Sequence, residues 1–211
     1  FLMPRLSRRE REKLRHRREM LEAAEELFAS GGYHNTTMQE IADQADFSVG
    51  ALYHLFDSKE DLYTKLVEMR MNDYIQLADE KLGGASGPLE KVRTLIATKL
   101  QFFKEHRRFF LIFSHQFAKE GPQGHPVVSR EFKDKYVEYQ ERVQLIFGDG
   151  IEEGVFVEGS PLLMALCVEG ATNAVIGRWI HTGAIELADV RSEDLEKLLL
   201  GGFLTPEGKN E

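Results

Sequence analysis

A chain of 211 residues and 24.1 kDa, 42% hydrophobic with 14 Phe and one Trp, can bury a core as one domain or two small ones, which excludes a disordered polypeptide. One cysteine, Cys167, excludes an intramolecular disulfide; with no signal-peptide pattern and no apolar run of membrane-spanning length, a cytoplasmic location is expected. The net charge of −8 is unevenly spread: residues 1–18 carry eight Arg or Lys against Glu10 and Glu12, a net of +6, so the remainder sums to −14.

A basic arm on an acidic body is the footprint of a polyanion partner at that end; the alternative is a solubilising helix face, and charge alone does not choose between them. Apolar residues recur at i, i+3, i+4 from end to end and β-branched alternation is absent, so an all-α chain of about nine helices is expected. Ser7 followed by Glu10 is a capping box for the first helix, whose stripe is Leu21, Ala24, Leu27 and Phe28, and Gly31-Gly32 ends it. Thr37 followed by Glu40 opens a second helix with Met38, Ile41, Ala42 and Ala45 on one face. Asp46 and Phe47 make a turn, and Ser48 caps a third helix with Val49, Leu52 and Phe56 facing inward. Ser58 caps a fourth, running through Leu62, Leu66 and Met69 toward Lys81.

Helices two and three are about two turns each, too short to persist alone, and must be held by helix one and the core. Two such helices joined by a tight turn match a helix-turn-helix, whose second helix enters the DNA major groove. The inward set leaves Gly50, Ala51, His54 and Leu55 outward and Tyr53 on the flank, and the small Gly50 and Ala51 permit close approach to a duplex. Hydroxyls and amides at Thr37 and Ser48 suit phosphate oxygens. Tyr53 can donate to a phosphate, His54 can reach a phosphate or a base edge, and Lys59 is a further cation. Each also has an ordinary reading, capping for Thr37 and Ser48 and core for Tyr53; as one constellation beside a basic arm they favour DNA binding. Residues 19–70 hold only Lys59, Lys65 and Arg70 against eleven acids, so the arm must supply most of the counterion release, with Arg8, Arg11, Arg15 and Arg18 on one face of helix one.

The stretch TTMQEIADQADFSVGALYHLFDSKEDL, Thr36 to Leu62, resembles the signature TT-x3-IA-x5-S-x-G-x-LY-x2-F-x-SKE-x-L of the TetR family of transcriptional repressors. The likeness covers about residues 15 to 65 and rests on Thr36, Thr37, Ile41, Ala42, Ser48, Gly50, Leu52, Tyr53, Phe56, Ser58, Lys59, Glu60 and Leu62. It implies DNA binding through helix three, homodimerisation through the last two long helices, and an inducer pocket in the C-terminal part. The expected DNA-contacting set is Thr37, Ser48, Val49, Gly50, Ala51, Tyr53, His54 and Lys59, with Arg11 and Arg15. Three positions depart from the pattern: Asp46 stands where the family usually has Gly, Phe47 replaces a smaller apolar residue, and Leu55 occupies a site often aromatic or polar, where thymine-methyl contact replaces a phosphate contact.

LGGASGPLE, Leu82 to Glu90, is the clear internal break and marks a boundary near residue 84, with helix four packing on both sides. With the resemblance, residues 5–65 are the helix-turn-helix domain and 66–211 a helical effector-binding and dimerisation domain. Further helices are expected at about 88–105, 107–120, 125–153, 160–182 and 192–203. SPLLMALCVEGATNAVIGRWIHTG is apolar on nearly every side; Gly170, Ala174 and Gly177 align to admit a second helix, giving a dimer seam, or the helix is central to one subunit. Glu169, Asn173 and Arg178 interrupt it as interface or pocket polar groups. Aromatics of helices five and six are most often core at such spacing, but with later residues they can line an apolar pocket: Phe102, Phe103, Phe113, His115, Phe117, Tyr136 and Trp179 are the candidates, for a hydrophobic or aromatic effector.

An enzyme is the rival class. The seven His show no metal-ligand spacing, there is no phosphate-binding Gly loop, and Gly148-Asp149-Gly150 is a weak turn signal, so no catalytic residue, metal or cofactor is expected. A protein-binding helical adaptor ranks behind as well. The expected partners are a double-stranded DNA operator, a small-molecule effector and a second copy of the chain, with no membrane.

Overall fold

The computed structural model describes residues 7–120, 127–182 and 192–208, and their side chains except at 115–120, 181 and 182. Nine helices fill these residues: α1 Arg8–Gly31, α2 Met38–Gln44, α3 Val49–Leu55, α4 Lys59–Leu82, α5 Gly87–Glu105, α6 Arg107–Glu120, α7 Arg130–Glu152, α8 Pro161–Thr182 and α9 Ser192–Leu200. Extended pairing among the described residues is confined to one antiparallel bridge between Phe156 and Leu204.

By internal contact the chain forms two units, one of residues up to Arg70 with α6 from Arg108, the other of Met71–Arg107 with residues from Ser129 onward. The division falls inside α4, beyond the expected 65/66 border and short of the Gly-rich stretch near 84. The physical reason is that α4 buries Leu62, Tyr63, Leu66 and Val67, and then Arg70, whose Nε donates to Glu25 Oε2 of α1 at 2.7 Å with both side chains under a tenth exposed. Most of α6, expected with the C-terminal domain, groups with the first unit, where Phe109 and Ile112 are buried and Arg108 pairs with Glu26 of α1 at 3.4 Å.

Both capping boxes form. Ser7 Oγ accepts from the Glu10 amide at 3.2 Å while the Ser7 amide donates to Glu10 Oε2 at 2.7 Å, and Thr37 and Glu40 repeat the arrangement at 3.2 and 2.8 Å. Each carboxyl lies below its ordinary pKa, Glu10 through the Ser7 hydroxyl and then its amide, Glu40 through the Thr37 amide and then its hydroxyl. A lowered folded-state pKa means the stabilisation is complete above the ordinary carboxylate value and is lost as pH falls through the lowered one.

The second unit is built on Ile75 and Ala78 of α4, Val92, Ile96 and Phe103 of α5, Phe147 of α7, Val168 and Ile176 of α8, and Leu195 and Leu200 of α9, all buried. Gly148-Asp149-Gly150 is no turn: α7 passes through it to Glu152. Gly150 is there for closeness, since a Cβ would overlap the buried Phe156 ring and press on Pro88, whereas a Cβ at Gly148 meets nothing within 4 Å. In a free helix Gly→Ala gains about 1 kcal/mol. Gly148→Ala is therefore expected to raise the unfolding temperature and Gly150→Ala to lower it, checked by calorimetry on the two variants.

Candidate nucleic-acid interface and internal cavity

The interface begins with a seven-residue helix. Leu52 and Phe56 are at most 1% exposed, and burying side chains of this size stabilises by about 1.5–3 kcal/mol each, which outweighs the cost of nucleating so short a helix. Ser48 Oγ accepts from the Ala51 amide at 3.2 Å and caps α3. With that face fixed, Gly50, Tyr53 and His54 are exposed, Tyr53 at 53%, while Ala51 and Leu55 are half-buried and Val49, expected inward, is half-buried too.

The turn leading into α3 is a Schellman motif. The Phe47 amide donates to the Ala42 carbonyl at 2.9 Å and the Asp46 amide to that of Asp43 at 3.3 Å, which requires Asp46 in the left-handed region, at φ 59°. Asp occupies the position a Gly would fill more cheaply, and the motif survives intact. Phe47 packs its ring on His16 of α1 at 5.0 Å, and the Arg17 guanidinium lies over Phe56 at 5.8 Å, so the basic helix is seated against both ends of α3.

Along α1, Arg8, Arg15 and Arg18 pair with Glu12, Glu19 and Glu22 at 3.1, 3.6 and 3.7 Å on exposed faces. Arg11 has no acidic partner among the described residues. Exposed i,i+4 pairs contribute only a few tenths of a kcal/mol, so these arginines can exchange a carboxylate for a phosphate at little cost. Lys59 is different. Its ammonium donates to the carbonyls of Tyr33 at 2.9 Å, His34 at 3.3 Å and Thr36 at 2.9 Å, and lies over the Tyr33 ring at 4.7 Å. All three hydrogens are thus engaged, and its role is to hold the loop that delivers Thr37 to α2. Thr37 also donates its hydroxyl to Glu40 at 2.8 Å.

In the second unit a cavity of about 180 Å³ opens among α4, α5, α7 and α8. Its apolar walls include Leu95, Ile96, Val143, Leu162, Leu166 and Val168, and its polar lining includes Tyr74, Lys99, Tyr139, Gln140, Gln144, Glu169 and Thr172. Lys99 Nζ stands 3.7 Å from Glu169 Oε1, Tyr136 donates to that oxygen at 3.2 Å, and the Tyr74 and Tyr139 hydroxyls are 2.9 Å apart. No group of three or more His, Cys, Asp or Glu among the described residues is disposed to hold a metal ion.

A family model described as "Bacterial regulatory proteins, tetR family" matches residues 20–66, from within α1 to within α4 and across the whole helix-turn-helix. Residues 20–66 are a TetR-family DNA-binding region. It is 26% identical over 197 residues to the HTH-type transcriptional repressor KstR2 of Mycobacterium tuberculosis, covering 91% of this chain and 94% of that protein. The fatty acid degradation regulator FadR from Bacillus halodurans superposes with a TM-score of 0.73 at 20% identity, over 88% of this chain and 95% of that one. The transcriptional regulator FadR from Bacillus subtilis, in complex with stearoyl-CoA, does so with a TM-score of 0.69 at 23% identity, over 88% of this chain and 98% of that one. Likeness at these identities establishes that the TetR fold spans both units. The chain is a DNA-binding regulator of transcription. No helix among its described residues is long and apolar enough to cross a membrane.

Not every expected site residue of this regulator meets its neighbours. Thr37, Ser48, Val49, Gly50, Ala51, Tyr53, His54 and Lys59 cluster in the helix-turn-helix with the start of α4, and Arg11 and Arg15 lie on the basic helix. The proposed pocket aromatics are not gathered. Phe102 and Phe103 are 2% exposed and packed on Tyr74 and Trp179 with ring centroids 5.5 Å apart in each case, and Phe113 pairs with Phe109 in the first unit. None of these, nor Tyr136, lines the cavity, since rings at helical spacing bury against one another first. The side chains of His115 and Phe117 lie outside the described residues. Of the polar cavity residues, only Glu169 carries a sequence signal, a carboxylate in an apolar helix. Lys99, Tyr74 and Tyr139 become visible only once four helices meet.

Because Lys59 has no hydrogen left for a phosphate, Lys59→Met is expected to weaken DNA binding several-fold without changing the slope of log K against log salt. Arg11→Ala is expected to reduce that slope by about 0.9 for each phosphate that the arginine neutralises. Anisotropy titrations at several salt concentrations measure both.

Proposed function

We propose that this chain is a ligand-released repressor: a homodimer that binds a pseudo-palindromic DNA operator and leaves it when a hydrophobic small molecule occupies the cavity of the second unit. The observation that carries the reading is the exposed face of α3, with Gly50, Tyr53 and His54 presented by a helix whose other side is locked by Leu52 and Phe56, beside a helix bearing the +6 arm. In such a dimer the two recognition helices enter successive major grooves about 34 Å apart. The Arg side chains of α1 and the capped ends of α2 and α3 take phosphates, and α3 reads base edges.

Release needs an effector that binds the two conformations of the protein unequally. α4 is a single helix whose first half contributes Leu62, Leu66 and Arg70 to the DNA-binding unit and whose second half contributes Tyr74 to the cavity lining. A ligand that displaces Tyr74 acts on the same helix that Arg70 anchors to Glu25. The stearoyl-CoA bound by FadR from Bacillus subtilis and the repressor name of KstR2 support an apolar effector and repression as the mode.

The dimer reading is supported by α8. Met164, Val168, Thr172, Ile176 and Trp179 bury one face, while Leu163, Leu166, Gly170 and Ala174 are exposed, Leu163 at 61% and Leu166 at 49%. Nothing lies within 4 Å of a Cβ built at Gly170 or Gly177, which leaves room for a second helix. Ala174→Arg would place a charge in that seam and is expected to convert a dimer to a monomer in gel filtration with light scattering, with operator affinity falling alongside.

The reading itself is tested by anisotropy with DNA from upstream of the chain's own gene, at two salt concentrations. Tight, sequence-dependent binding that weakens with salt, and about tenfold with Tyr53→Ala, is expected. Binding indifferent to both sequence and Tyr53 would overturn the recognition-helix assignment.

A further inference from the structure

The cavity has more hydrogen-bond donors than its own acceptors use. Lys99 Nζ is 3.7 Å from Glu169, an ion pair but too long for a hydrogen bond, and no hydrogen bond from Lys99 exists among the described residues. The Glu169 carboxylate is taken instead by the Tyr136 hydroxyl at 3.2 Å. The Tyr74 and Tyr139 hydroxyls, 2.9 Å apart, use one proton between them, so whichever accepts has its own O–H left over. Thr172 adds no further donor, because its hydroxyl hydrogen is given to the Val168 and Glu169 carbonyls at 2.9 and 2.8 Å.

Electrostatics adds a second constraint. Burial holds the Lys99 ammonium below its ordinary pKa against the pull of Glu169, and burial pushes the Tyr139 phenol up to about 12 and raises that of Tyr74 as well. The phenols are therefore protonated donors at neutral pH. A ligand group placed among them gains from accepting N–H and O–H bonds, but if it carries a full negative charge it also meets Glu169 on the same lining. A neutral acceptor takes the donors without that repulsion.

We propose that the cavity recognises an uncharged carbonyl on an apolar skeleton, held by Lys99 and the spare hydroxyl of the Tyr74–Tyr139 pair, and that Glu169 excludes the corresponding carboxylate. The proposal rests on the effector reading above and names the chemistry of that same site. A volume of about 180 Å³ suits one ring with a short substituent, since a cavity of about 150 Å³ holds benzene.

Acetophenone, benzoate and ethylbenzene share that size and differ only in the group at issue. Titrated into the full-length protein and followed by ligand-observed NMR, acetophenone is expected to bind about tenfold tighter than ethylbenzene and about tenfold tighter than benzoate. Lys99→Met, which keeps the length of the apolar stem, is expected to bring acetophenone down to the affinity of ethylbenzene and leave ethylbenzene unchanged. Glu169→Gln is expected to raise benzoate affinity about tenfold and change acetophenone less than threefold. Benzoate matching acetophenone in the unaltered protein, or an acetophenone preference that survives Lys99→Met, would overturn the carbonyl assignment. Operator anisotropy with each bound probe separates this from the effector reading: probes that bind in the expected order without altering operator affinity sink the effector reading alone. If none of the three binds, the carbonyl assignment falls and the effector reading, which does not depend on these probes, stands.

Discussion

The burial of Leu52 and Phe56 is the constraint on which the DNA-binding unit depends. A seven-residue helix has too few internal hydrogen bonds to persist in water, so α3 exists as a helix only because those two side chains are held in a core built by α1, α2 and α4. Their direction then decides everything on the opposite face, because at 100° per residue the exposure of Gly50, Tyr53 and His54 is the complement of the burial of Leu52 and Phe56. The Schellman turn at Asp46 and the cap at Ser48 set where the helix begins. The seating of His16 on Phe47 and of Arg17 over Phe56 binds the basic helix to the same core.

Charge is arranged around that core in two different ways. On α1 the arginines stand in water beside glutamates one turn away, in pairs that hold little energy and are readily exchanged for a denser anion. Inside, the Glu25–Arg70 pair at 2.7 Å is nearly dry, and breaking a buried pair of this kind by removing one member costs about 3–5 kcal/mol in comparable cases. Lys59 belongs with the second kind despite its place in the TetR signature. Its carbonyl cage converts a cation into a clasp for the Tyr33–Thr36 loop, and the acidic body thereby presents its positive charge chiefly from the arm.

The second unit keeps a polar cluster where a purely structural core would have apolar residues. A loosely paired Lys99, a carboxylate shared with Tyr136 and a pair of phenols around an open volume are unfavourable for stability by themselves, since buried donors without acceptors carry a desolvation cost of about 1–3 kcal/mol each. Their retention beside an apolar wall fits a site that is completed by a ligand. Tyr74 connects it to α4, the helix that the DNA-binding unit also uses.

Much of this was legible in residue order, because the determinants are local. Capping boxes span three residues, helix stripes repeat within seven, and the helix-turn-helix signature lies inside 27 consecutive positions, so the nine helices of the described residues and the outward placing of Gly50 and His54 follow from spacing, whereas Ala51 and Leu55, expected outward, are half-buried. What only the tertiary structure decided are the meetings of residues far apart in the chain. Lys59 reaches carbonyls 26 to 23 residues earlier, Glu25 finds Arg70 45 residues later, and Lys99 faces Glu169 across two helices. Spacing cannot separate a buried aromatic from a ligand-lining one, which is why Phe102, Phe103 and Trp179 looked like pocket residues although they pack on other rings. Which side chains surround an empty volume is set by how four helices fill space together, and no single helix carries that information.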